Sequence, residues 1–141
     1  MVSNLLALLL LRYFGRKTLL IVGYAGMCAS LVLMASLLGT PGVQQSLTLT
    51  FVFFFEISAG PIMWLYLAEI LPASGVSVGS ALNWIFVIAV SLSSPTLLDD
   101  NSSTKITFFV FGGFCALGLA FSIRTIKETK GKTDNELWQL Y

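Results

Sequence analysis

Residues 47–68 read LTLTFVFFFEISAGPIMWLYLA, an apolar run whose one ionisable side chain is Glu56. A helix needs about 20 consecutive apolar residues to cross the hydrocarbon core of a bilayer. The run ends at Glu69 and Pro72, a charge and a helix breaker. Working outward, residues 18–38 carry no charge and stop at the breaker cluster Gly39-Thr40-Pro41-Gly42. Residues 75–98 are charge-free up to Asp99-Asp100-Asn101, and residues 106–126 follow with Arg124 as their one charge. The pattern predicts an all-α membrane protein with four full spans, at 18–38, 47–68, 75–98 and 106–126, joined by loops at 39–46 and 99–105. A shorter run, Val2 to Leu11 within residues 1–12, reaches about half the required length. It has no basic segment before it and no small-residue cleavage site after it, so it reads as the end of a truncated helix and not as a signal peptide.

Composition agrees with this reading. The 141 residues are 56% hydrophobic and 11% charged, against about a quarter charged in soluble domains. Eight basic and seven acidic residues leave a net charge of +1, so there is no cationic surface for nucleic acid. The chain has no His, and Cys28 and Cys115 each lie inside an apolar run. Zinc, haem and the usual Ser/His or Cys/His nucleophile arrangements therefore lack their parts, and neither an enzyme nor a metal or cofactor protein is expected.

Threading the spans in alternation places Arg12, Arg16 and Lys17 on the same side as Arg124, Lys127, Lys130 and Lys132, with Lys105 alone opposite. Short cytoplasmic loops collect Lys and Arg, which predicts a cytoplasmic tail over residues 127–141. The sequon Asn101-Ser102-Ser103 then falls on the outer side.

An ionisable group in mid-span costs at least about 2.5 to 3.5 kcal/mol on insertion scales and normally faces a cavity or a partner. Glu56 is such a group, either a site carboxylate or a hydrogen-bonded carboxyl that holds helices together. Glu56, Gly60 and Trp64 are spaced four apart, which predicts one helical stripe, and Gly60-Pro61 is expected to bend or break the helix. The next span repeats the spacing with Gly75, Gly79 and Asn83. Asn83 is therefore expected to point into the bundle, where its amide suits a hydroxylated solute and equally an interhelical hydrogen bond. Trp84 and the cluster Phe51, Phe53, Phe54 and Phe55 fit packing or lipid-facing surface.

In order, Gly15-Arg16-Lys17, Phe54-Phe55-Glu56, Gly60-Pro61-Ile62-Met63-Trp64, Ala68-Glu69, Asn83-Trp84 and Glu128-Thr129-Lys130-Gly131 resemble the sugar porter family of the major facilitator superfamily. The resemblance covers essentially the whole chain and matches the C-terminal half of a hexose facilitator. It implies a twelve-helix fold whose two six-helix halves rock about a midplane site. By the same resemblance Glu56 and Trp64 contact the sugar, while Phe55, Asn83 and Trp84 line the site or its gate. Gly60 and Pro61 match the gating bend, and Arg16, Glu69 and Glu128 match a cytoplasmic charge network. The chain departs from the family pattern at Arg12-Tyr13 and Lys127, lacks the usual Arg after Glu69, and is about four residues short before Asn83.

Two functions follow as expectations. One is the C-terminal part of a hexose-like sugar transporter, inactive without its N-terminal half, in the plasma membrane or an organelle membrane. The other is a shortened porter serving as a structural subunit beside another membrane protein.

Overall fold

The computed structural model describes residues 13–127. Among them five helices follow one another: α1 (Arg16–Ser36), α2 (Pro41–Ile57), α3 (Ala59–Ile70), α4 (Ala73–Leu97) and α5 (Asn101–Arg124). Since α2 and α3 are consecutive pieces of one apolar stretch, four helical segments are long and apolar enough to cross a membrane. The predicted truncated helix at 1–12 and the tail beyond Lys127 lie outside the described residues.

Both predicted outer loops are shorter than expected, for the same physical reason. Pro41 occupies the first turn of α2, where its missing N–H would have had no helical partner anyway, so the helix starts inside the supposed loop 39–46. The turn before it is closed by Gly39, whose φ of 106° lies in the region that favours glycine. Likewise Asp100 is the N-cap of α5, its carboxylate accepting from the Ser102 N–H at 3.3 Å, so Asn101 already lies in the first helical turn. At the other end of the bundle Leu71 is extended because Pro72 follows it, which separates α3 from α4.

The first helix is the axle of the bundle. It runs antiparallel to both α2 and α5 along most of its length and meets α3 over a shorter stretch. Its buried face is Leu19, Leu20, Gly23, Met27, Ser30, Leu31, Met34 and Ala35, a helical period in which small residues bring the neighbours close. Against α5, the Tyr24 ring packs on Gly118, the Cys28 thiol donates to the Gly112 carbonyl at 3.5 Å, and Lys17 Nζ caps the Ile123 carbonyl at 2.9 Å. Against α2, Gln44 Nε2 donates to the Met34 carbonyl at 2.9 Å.

The tightest packing lies at the end of the bundle that carries Arg16. Leu19 and Leu20 of α1, Ile62 and Tyr66 of α3, and Ile126 just past α5 form the buried core there. The Lys127 N–H donates to the Tyr66 hydroxyl at 3.4 Å, tying the chain after α5 to α3. Elsewhere hydroxyls bond within their own helix, as Ser30 to the Gly26 carbonyl and Ser122 to the Gly118 carbonyl at 2.8 Å, so that little polar hydrogen-bonding capacity is left facing apolar surroundings.

Candidate functional site

The junction of α2 and α3 determines which side chains meet. Pro61 has no N–H to give to the Ile57 carbonyl, so the helical ladder fails one turn before the proline. The break falls at Ser58, with φ −132° and ψ −91°, and not at Gly60-Pro61 themselves. The Ser58 N–H turns back to the Phe55 carbonyl at 3.2 Å, and α3 restarts with the Ile62 N–H donating to the Ser58 carbonyl at 3.0 Å.

This reset corrects the expected stripe of Glu56, Gly60 and Trp64. Phe55, not Glu56, stacks over Gly60: a Cβ on Gly60 would lie 3.2 Å from the Phe55 carbonyl oxygen and 3.4 Å from its ring. Phe55, Gly60 and Trp64 then line one cavity with Asn83 and Gly79 of α4, Tyr24 of α1, and Ala59, Met63 and Leu67 of α3. Its volume is about 390 Å³. Gly79 rests on the Leu67 side chain, which sets the register that brings Asn83 to the cavity. Glu56 is half-buried beside the break and outside the lining; Trp84 is 61% exposed on α4 and also outside it.

Trp64 supplies a flat apolar face and Asn83 an amide that both donates and accepts. This combination fits a solute with hydroxyls on its rim and C–H groups on its faces. Among the described residues no group of His, Cys, Asp and Glu is placed to hold a metal ion.

The expected charge cluster is partly assembled. Arg16 at the start of α1 donates through Nη2 to Glu69 Oε1 at 2.7 Å, each side chain 20% exposed. Glu128, its expected third member, lies outside the described residues. Reasoning from the sequence missed Tyr24, and with it Gly23 and Gly26, which receive Ser58 and the Phe54 ring. A phenol inside a charge-free run, flanked by glycines three apart, was the available signal.

The whole chain, residues 1–141, matches the model of the sugar (and other) transporter family. It is 35% identical to the glucose transporter GlcP of Staphylococcus epidermidis over 95% of its own length and 32% of that protein. It is 38% identical to hexose transporter 1 of Plasmodium knowlesi over 89% of its own length and 27% of that protein. The chain thus spans about a third or less of the relatives it matches. Among solved structures, the inward-open xylose transporter XylE from E. coli superposes with a TM-score of 0.88 at 28% identity, covering 99% of this chain and 33% of XylE. XylE bound to 6-bromo-6-deoxy-D-glucose superposes with a TM-score of 0.87. With its apolar helices and this match, the chain is a multi-pass membrane protein that belongs to the sugar transporter family of the major facilitator superfamily.

Proposed function

We propose that this chain forms the C-terminal part of a carrier that moves a hexose-like sugar across a membrane by alternating access. The reading rests on Phe55, Gly60, Trp64 and Asn83 meeting, from both sides of a helix break, in one cavity of about 390 Å³. That volume lies within the range of about 300 to 1,000 Å³ usual for small-ligand sites. Here Trp64 packs on the sugar's apolar face and Asn83 bonds its hydroxyls. Glu56 supplies a carboxylate acceptor from the α2 side of the break, and Trp84 lines the gate where helices of the rest of the carrier complete the site. The break beside Gly60 and Pro61 is the gating bend. The Arg16–Glu69 pair, with Glu128, holds helix ends together on the cytoplasmic side, which the basic residues favour. The lipid bilayer and an N-terminal half are the partners, and the plasma membrane is the favoured location, with an organelle membrane as the other option.

Alternating access needs one half to rock against the other, so the 141 residues alone are not expected to transport. Purified chain in liposomes should show no stereospecific glucose uptake above empty vesicles, and co-expression with a matching N-terminal half should restore it. Saturable, stereoselective flux through the chain alone would contradict this. A second reading, a structural subunit beside another membrane protein, draws on α4, none of whose residues is buried. Failure of every N-terminal partner to restore flux favours it. Orientation has its own test: a thiol placed at Thr133 should stay unreactive to an impermeant reagent in intact cells.

A further inference from the structure

The two cysteines of the chain meet across the contact of α1 and α5, which run antiparallel there. At one end of this contact the Tyr24 ring packs on Gly118, where a Cβ would come within 2.7 Å of it. At the other end Leu31 packs on Gly112, its Cβ 3.7 Å from where a Cβ on the glycine would stand. On α5, Gly112, Cys115 and Gly118 follow at three-residue spacing and share one face, with Cys115 at its middle. On α1, Cys28 lies midway between Tyr24 and Leu31, and its thiol reaches the Gly112 carbonyl at 3.5 Å. The two thiols therefore face each other, close enough for their charges to interact. Both are free and half-buried. Gly112 and Gly118 keep the helices near at either side of the pair, since neither carries a side chain to hold the backbones apart.

We propose that Cys28 and Cys115 form a dithiol site for trivalent arsenicals, bound between the two helices through both sulfurs. Cysteine sulfur is soft and polarisable and selects soft acceptors. A ligand that stayed charged would bring an uncompensated charge into the apolar layer. A trivalent arsenical avoids this cost. An oxide R–As=O condenses with both thiols to R–As(SR′)2, in which the two sulfurs are those of Cys28 and Cys115. Two As–S bonds replace the As=O bond and the two S–H bonds, and the oxygen leaves as water with both thiol protons. Arsenic stays trivalent, no outside oxidant or reductant takes part, and the product is uncharged. Holding both sulfurs on neighbouring helices also protects the adduct from exchange, because a sulfur displaced from arsenic stays beside it at high effective concentration. The site does not depend on the carrier reading.

Phenylarsine oxide is the probe, added to the full chain in lipid nanodiscs, with intact mass read after a wash with the monothiol mercaptoethanol and again after the dithiol dimercaptopropanol. One phenylarsenic group per chain should survive the monothiol and leave with the dithiol. Cys28→Ala and Cys115→Ala each keep one thiol and should lose the adduct in the monothiol wash. Cys28→Ser keeps a donor for the Gly112 carbonyl, so it separates loss of the sulfur from loss of the helix contact, and it too should lose the adduct. An adduct that resists the monothiol in any of these variants would overturn the site. So would an adduct that joins two chains, or the absence of any adduct on the parent chain.

Discussion

Helices α1 and α4 are both apolar enough to cross a membrane, yet α1 buries a full face while none of α4's 25 residues is buried. The difference is one of surface relief. Lipid tails are as apolar as leucine, so apolarity alone does not draw helices together; close contact of backbones and side chains does. The α1 face offers Gly23 and Gly26 as recesses for Ser58 and Phe54, and α5 offers Gly118 as a recess for Tyr24. By contrast α4 presents Trp84, Phe86 and Ile88, each more than half exposed, and touches the rest near its two ends, where Gly75 and Gly79 rest on Leu71 and Leu67 and where the Leu97 carbonyl accepts from the Thr107 hydroxyl of α5. Within this chain α1 is a scaffold, and α4 is one wall of the cavity.

The contrast is open to direct attack. Leu20 is 0% exposed and Ile88 58% exposed. Since lipid replaces water in the reference state, Leu20→Ala loses the packing term more than the transfer term, about 1 to 3 kcal/mol. Ile88→Ala should stay within about 0.5 kcal/mol. Equilibrium unfolding in mixed micelles compares the two, and equal losses would break the distinction between scaffold and wall. Next in size is Glu69→Gln, which removes a partly exposed ion pair and should cost about 1 kcal/mol, less as salt is raised. The same titration at two ionic strengths reads it, and a salt-independent loss would mean that the pair acts by shape alone.

Tyr66→Phe removes the 3.4 Å bond from the Lys127 N–H. It should cost about 0.5 to 1 kcal/mol and speed hydrogen exchange at Lys127 first. The smallest effect belongs to Asn83→Ala. Its amide lines the cavity without a hydrogen-bond partner among the described residues, so the isolated chain should change by less than about 0.5 kcal/mol. A larger loss would show that Asn83 holds helices together and would move it from the wall to the scaffold.

The fold was legible because charge and breaker residues bound each apolar run, and a run of about 20 such residues has few alternatives. Helix starts were less legible, since Pro41 and Asp100 are turn residues that also open helices. The site was half legible. Gly79 and Asn83 sit on one continuous helix, so their spacing carried over, whereas Glu56 and Gly60 flank a break that four-residue spacing cannot cross. Pro61 fixes where that break falls, one turn earlier than the proline itself. The packed face of α1 was hidden because its outer face is equally apolar and also carries small residues, Ala25 and Ala29; the glycines Gly23 and Gly26 mark the packed side.

In the proposed carrier the cavity bounded by Trp64 and Asn83 receives sugar. Uptake of labelled D-glucose, with L-glucose as the control, tests it in a complete carrier containing this segment, comparing Trp64→Leu and Asn83→Ala with Ile88→Ala and Phe53→Leu. Apparent affinity or rate should fall in the first two, about tenfold for each 1.4 kcal/mol of contact removed, and uptake should stay near-parental in the other two. Parental kinetics in both Trp64→Leu and Asn83→Ala would contradict it.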